Sequence, residues 1–204
     1  MNRYSRQLTT DPNTNGDANT LMNMQPDAVI LATGATPLRP DIPGIDRKCV
    51  ATAEDVLTKR TKVWGTVVVV GGGMVGCETA EFVLTRVEGV DRVVIVEMLG
   101  RIAGDVPATS RPFFLARLEK EGVEIHIHTT VKEITEGGVR VDCKGDPQFI
   151  EADTVVLSVG FEPDSRLARG LEGRVSELYA VGDCLKPRTI REAMAEGFTV
   201  GMKV

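Results

Sequence analysis

Paired cysteines are what this sequence lacks first. Cys49, Cys77, Cys143 and Cys184 are widely separated, and none belongs to a C-x-x-C or C-x4-C pair. These residues therefore supply neither a redox-active dithiol nor a zinc clamp, and lone buried thiols are the expectation. Apolar runs of membrane-spanning length are missing, and the polar start MNRYSRQLTTDPN holds no apolar stretch for a secretory signal. The expectation is a cytoplasmic protein without a membrane partner. Basic charge is also short: 24 Lys and Arg stand against 29 Asp and Glu, a net charge of -5. With no local Lys/Arg run to offset it, nucleic acid is not an expected partner. The histidines are two, His126 and His128, at alternate positions of one expected strand. They would share a face, but no third ligand lies nearby, so a solvent-facing strand is expected rather than a metal site.

What is present reads as a turn-rich α/β chain. The 204 residues include 21 Gly and 10 Pro and suffice for one or two domains. Residues 9–20, TTDPNTNGDANT, have the composition of a loop. Ala28 to Ala32 is an expected buried strand entering a Thr-Gly bend, after which Pro37, Pro40 and Pro43 keep the chain extended. Thr52 precedes a short helix with Glu54 and Asp55 in its first turn, running through Val56 and Leu57. Strand, glycine turn, helix and strand then follow over Thr66–Val70, Gly71–Gly76, a helix to about Arg86, and Arg92–Glu97. This is a βαβ unit whose β-branched strands are buried on both faces. Pro112 to Glu121 predicts a helix closed by Gly122, followed by a strand at Val123–Ile127. Val131–Ile134, Val139–Val141 and Phe149–Ile150 predict a small antiparallel meander, and Thr154–Val159 a last strand ending at Gly160. Leu178–Val181 runs into Gly-Asp-Cys, and Pro187 precedes a helix with Ile190, Ala193, Met194 and Gly197 on one side. Trp64 and the Phe113-Phe114 pair are expected as packing groups, and Arg188 and Arg191 as solvated charges.

The chemistry concentrates in VVVVGGGMVGCETAE, where Gly71, Gly73 and Gly76 form G-x-G-x-x-G between a strand and a helix. Gly71 permits the tight turn, Gly73 lets the backbone approach a pyrophosphate, and Gly76 lets the helix lie close to the strand. The N-terminus of that helix, Met74 and Val75, then faces the phosphates with unpaired N–H groups. Glu97 closes the second strand, where a carboxylate accepts from adenosine ribose hydroxyls and repels a 2'-phosphate. NADH is therefore favoured over NADPH, although Arg101 lies close enough in sequence to serve a 2'-phosphate.

With those residues in view, the chain resembles the pyridine-nucleotide-dependent flavoproteins that have two dinucleotide-binding domains, the NAD domain inserted into the FAD domain. Three segments carry the likeness: ATGATP at Ala32–Pro37, GGGMVGCE at Gly71–Glu78, and LYAVGDC at Leu178–Cys184. More narrowly, ATGATPLRPDIPG, AEDVL and AVGDCLKPRTIREAMAEGF resemble the C-terminal half of the 2,4-dienoyl-CoA reductase and trimethylamine dehydrogenase group, over roughly Pro26 to Gly201. The resemblance implies a three-layer Rossmann-like α/β fold, with an NAD domain at 61–162 between FAD-domain segments at 1–60 and 163–204. It implies NAD(H) and FAD as cofactors, with Ala32, Thr33, Gly34 and Gly160 at strand-end turns near them and Glu78 near the nicotinamide carboxamide. It places Gly182 and Asp183 at the ribityl or phosphate part of FAD.

The implied activity is NADH:flavin oxidoreduction within a larger enzyme, for which alignment and exclusion of water matter more than a general acid or base. In the resembling group a preceding barrel domain or subunit carries FMN and an iron–sulfur cluster; no cluster-binding cysteine series stands in this chain. No first G-x-G-x-x-G precedes Ala28, so the chain is expected to begin partway through the FAD domain and not to hold FAD tightly by itself. A non-catalytic module holding ADP or NAD is the competing expectation. Assembly into a homo-oligomer is left open.

Overall fold

The structure, a computed structural model, describes residues 16–204. Its first elements are α1 (Ala18–Asn23), β1 (Ala28–Leu31) and β2 (Ala35–Pro37). The chain divides into two compact units: Pro37–Phe161, and the described residues up to Thr36 together with Glu162–Val204.

In the larger unit come β3 (Val50–Thr52), α2 (Ala53–Leu57), β4 (Gly65–Val70), α3 (Met74–Arg86), β5 (Val90–Val96), α4 (Arg111–Glu121) and β6 (Glu124–His126). Then follow β7 (Thr129–Ile134), β8 (Gly138–Cys143), β9 (Asp146–Glu151) and β10 (Thr154–Leu157). Five strands form a parallel sheet in the order β3-β10-β4-β5-β6, while β7, β8 and β9 form an antiparallel meander. The valine runs follow from this layering, because successive side chains on a strand point to opposite faces and here both faces are covered. Val67, Val69, Val93 and Ile95 pack with Cys77, Ala80 and Val83 of α3 and Phe114 and Leu118 of α4. Val68, Val70, Val94 and Val96 pack against Val131, Ile134, Val139 and Val141 of the meander. The result is the three-layer Rossmann-like α/β arrangement, helices on one face and meander on the other. Gly122 ends α4 in the left-handed conformation at φ +84, its N–H donating to Glu119 and Leu118 carbonyls.

The smaller unit resumes at β11 (Phe161–Pro163), which pairs with β2, and continues through α5 (Arg166–Leu171), β12 (Glu177–Ala180) and α6 (Ile190–Gly201). β1 and β12 pair in parallel, over a core of Val29, Leu31, Leu171 and Cys184. Its strand ends therefore emerge on one side.

The larger compact unit begins at Pro37. Several expectations change here. The Pro-rich stretch looks like a linker by composition, yet Ile42, Ile45 and Cys49 pack on the meander core and the N–H of Ile134 donates to the Pro43 carbonyl at 2.8 Å. The loop expected over residues 9–20 gives way at Ala18 to α1, capped by the Asp17 side chain accepting from Thr20 N–H at 2.7 Å; residues 9–15 lie outside the described residues. Ala18, Leu21 and Met22 pack against the small core, which sustains a helix too short to hold alone. His126 ends β6 and His128 sits beyond it at φ +53, so the two do not share a strand face. Among the described residues no group of three or more His, Cys, Asp or Glu is placed to hold a metal, and no helix is long and apolar enough to cross a membrane. Phe114 is a core residue, but Phe113 is 76% exposed and Trp64 stands half out of the surface. The apolar side expected on the last helix is open to solvent, with Ile190 80% and Met194 70% exposed.

Candidate nucleotide-binding site

The glycine turn is built where β4 ends. Gly71 takes φ +103, donates its N–H to the Val96 carbonyl at 2.9 Å, and has the Ser158 carbonyl where a Cβ would stand. Only glycine fits both constraints. One helical turn later, a Cβ on Gly76 would collide with the Gly71 carbonyl oxygen, so α3 lies against its own entry turn. Gly73, the N-cap of α3, is different. Its φ of -66 and ψ of -179 suit any residue, and among the described residues, chain neighbours aside, the only atoms within 4 Å of a Cβ there belong to the Asp105 carboxylate, the nearest at 3.5 Å. Folding does not require glycine at this position.

Glu97 braces this turn. It is 8% exposed; one carboxylate oxygen accepts from Gly72 N–H at 2.6 Å and the other from Leu99 N–H at 2.7 Å. Each carboxylate oxygen retains a further lone pair. The segment after Glu97 folds back over the turn: Ala103 N–H donates to the Gly72 carbonyl at 2.6 Å, and the Arg111 guanidinium holds the Ile102 carbonyl at 2.8 and 3.1 Å. Arg101 is exposed and curls beside Gly104 of its own loop. From this loop Asp105 reaches the start of α3, where both its oxygens accept from Met74 N–H, at 2.8 and 3.0 Å. Sequence reasoning missed Asp105, since no spacing signal links it to a helix start 31 residues earlier.

Among the described residues the N–H groups of Gly73, Val75 and Gly76 have no acceptor in the chain. These orphan donors and the aligned peptide dipoles of α3 favour an anion in front of Gly73. Met74 and Glu78 are exposed and Val75 is half-buried. Gly160, at φ +104, lies two residues beyond the Ser158 carbonyl that faces Gly71. Cys77, buried in the same turn with its Sγ 3.4 Å from the Gly72 carbonyl, has its thiol pushed up to about 12 by burial, and the carboxylates of Asp105, Glu97 and Glu78 add to this. It is no nucleophile at neutral pH. An open groove of about 550 Å³ beside α4 and β6, lined by Arg101, Arg111, Leu115, Ile125 and Ile127, includes none of the glycine-turn residues.

The smaller unit brings together the remaining predicted residues. β1 and β12 end in register, Leu31 beside Ala180, so Ala32-Thr33-Gly34 and Val181-Gly182-Asp183 leave the sheet at the same end. Thr33 Oγ1 donates to the Asp164 carbonyl at 2.9 Å, and Gly34, at φ +76, accepts from Asp164 N–H at 3.1 Å. The Asp164 carboxyl is itself lowered to about 2 by the Arg166 side chain and then by the Arg166 backbone N–H. Gly182 N–H donates to Glu196 at 2.7 Å, and Glu196 is paired with Arg188. Its carboxyl is lowered, by Arg188 first and the Gly182 N–H second. Asp183 accepts from Arg188 N–H at 3.2 Å. Arg188 is therefore fixed rather than freely solvated, and Glu196 is a second carboxylate that sequence reasoning missed.

A parallel sheet whose central strand enters a glycine turn at a helix N-terminus, with a carboxylate closing the next strand, defines a dinucleotide-binding protein. The chain belongs to the pyridine nucleotide-disulphide oxidoreductase family, which it matches over residues 4–197. Members of this family are NAD(P)H-dependent flavoprotein oxidoreductases that bind FAD and NAD(P)H. The chain is 37% identical over 194 residues to an NADH oxidase of Thermoanaerobacter brockii, covering 92% of this chain and 29% of that protein. It is 32% identical over 201 residues to a metal reductase of Desulforamulus reducens, covering 86% of this chain and 30% of that protein. Among solved structures, a 2-naphthoyl-CoA reductase complexed with 2-naphthoyl-CoA superposes with a TM-score of 0.86 at 32% identity, over 94% of this chain and 29% of that one. The chain thus spans about three-tenths of the length of these relatives. Despite the family's description, Cys49, Cys77, Cys143 and Cys184 are all free thiols.

Proposed function

We propose that the chain is the nicotinamide-nucleotide-binding module of an NADH:flavin oxidoreductase of the 2,4-dienoyl-CoA reductase and trimethylamine dehydrogenase type, acting within a larger enzyme. The observation that carries this reading is Gly73, a glycine whose backbone angles and surroundings would accept a side chain and whose Cβ position opens in front of unpaired helix N–H groups. A pyrophosphate fits that cradle. With both bound, NADH would supply a hydride and FAD would accept it. The chain's own residues bind and orient: Gly73, Met74, Val75 and Gly76 present backbone donors to phosphate, and Glu97 takes ribose hydroxyls on its remaining lone pairs while opposing a 2'-phosphate. Glu78 stands one turn into α3, on the nicotinamide side. In the smaller unit, Ala32, Thr33, Gly34, Gly182 and Asp183 are the residues proposed to meet FAD, with Gly160 at a strand end of the larger unit. A preceding barrel domain or subunit bearing FMN and an iron–sulfur cluster is the proposed partner.

The test is the visible spectrum of the purified chain, alone and with added FAD, before and after anaerobic addition of NADH. A flavin spectrum bleached by NADH supports the oxidoreductase module. A colourless protein that binds ADP or NADH and cannot be loaded with FAD supports a nucleotide-holding module without turnover.

A further inference from the structure

We infer that Asp105 is an internal stand-in for the ligand's phosphate, holding the phosphate seat until a nucleotide displaces it and so setting the affinity of the site. The inference rests on reading the glycine turn as the nicotinamide nucleotide site. Both Asp105 oxygens lie within 3.0 Å of Met74 N–H, the first helical donor of α3. Among the described residues, chain neighbours aside, the same carboxylate is the only group within 4 Å of the Cβ position of Gly73. A carboxylate therefore borders the space that glycine leaves open and occupies a donor that a phosphate would use. Two anions at one helix N-terminus repel, so binding requires the carboxylate to leave.

The surrounding loop is arranged for that exchange. Its backbone is tied down just before Asp105, by Ala103 N–H on the Gly72 carbonyl and by Arg111 on the Ile102 carbonyl, with Ile102 and Ala103 both buried. Asp105 itself is exposed. Its side chain can therefore rotate into solvent without unfolding the loop, and the displaced charge is hydrated again. Gly73 carries no side chain to cap α3, so Asp105 supplies that cap only while the seat is empty. The stabilisation of the empty state is lost on binding and weakens the observed affinity by the same factor.

A plain helix cap predicts something different. Asp105→Asn keeps a side-chain oxygen able to accept from Met74 N–H and removes the charge. Calorimetric titration of the full chain with NADH, and with ADP as a smaller phosphate-bearing probe, separates the two roles. Loss of the competing charge is expected to tighten both ligands about two- to five-fold, the factor matching the interaction of a surface anion with a helix N-terminus. Asp105→Ser, shorter and uncharged, should tighten them at least as much and provides a second reading where the Asn variant folds poorly. Unchanged or weaker binding in the variants, with the wild-type chain still binding NADH, overturns the role of Asp105 and leaves the nucleotide site standing. No binding of NADH or ADP by any of the three folded proteins overturns both.

Discussion

Gly73→Ala separates a glycine needed by a ligand from one needed by the fold. Among the described residues the added methyl meets only the Asp105 carboxylate at 3.5 Å, an ordinary contact, at backbone angles alanine adopts freely. Two small effects on stability oppose each other. Losing glycine's freedom in the unfolded chain stabilises by about 0.4–1 kcal/mol, and alanine at an N-cap costs about the same relative to glycine. The unfolding free energy should therefore shift by less than about 1 kcal/mol. Binding should change far more. A methyl between the ligand and the helix start pushes a phosphate off two or so backbone donors, each charge-assisted bond being worth about 1.5–3 kcal/mol. The expected loss is about 3–6 kcal/mol, on the order of a hundredfold to ten-thousandfold in Kd. Urea unfolding measures the first quantity and quenching of NADH fluorescence the second. A folded Gly73→Ala chain that binds NADH as tightly as wild type would refute the reasoning, because the one glycine of Gly71, Gly73 and Gly76 that folding does not require would then have no ligand role either.

Gly76→Ala should behave in the opposite way: its Cβ collides with the Gly71 carbonyl, so stability falls by about 1–3 kcal/mol together with NADH affinity, as denaturation and titration would show in parallel. Glu97→Ala leaves the Gly72 and Leu99 N–H groups without their acceptor. It should destabilise by about 1–3 kcal/mol, weaken NADH and relax discrimination against NADPH; an unchanged ratio of the two dissociation constants would remove Glu97 from the ribose site. Cys77 gives a pH prediction. With the folded thiol at about 12 against 9.0 for an unperturbed one, the unfolded chain releases a proton first as pH rises. Stability is unaffected by this group below about pH 9 and declines between roughly 9 and 12. Cys77→Ala should reduce that alkaline slope in equilibrium unfolding, and Cys77 in the folded wild type should resist alkylation at pH 8.

Much of the site was legible because its signals are local. The β4–α3–β5 unit combines apolar strands with a glycine turn, and Glu97 ends the second strand by simple position, so periodicity and spacing suffice. Gly122 and the meander were readable for the same reason. Where contacts are distant in sequence, the reading failed. Asp105 serves a helix start 31 residues away and Glu196 a turn 14 residues away, and neither carboxylate differs in sequence from a solvated charge. The stretch from 37 to 60 joined the larger unit because Ile42 and Ile45 found a core that composition cannot show. His128 left the strand through a single positive φ, which histidine's type does not announce. α1 is held by packing against α5 rather than by its own propensity.

The most direct measurement is calorimetric titration of the purified chain with NADH, repeated on Gly73→Ala. The account predicts saturable binding by the wild-type chain and its loss, by a hundredfold or more in Kd as estimated above, in an equally stable variant. A folded wild-type chain that releases no heat with NADH and gains no thermal stability from it would contradict the assignment of the glycine turn as a nucleotide site.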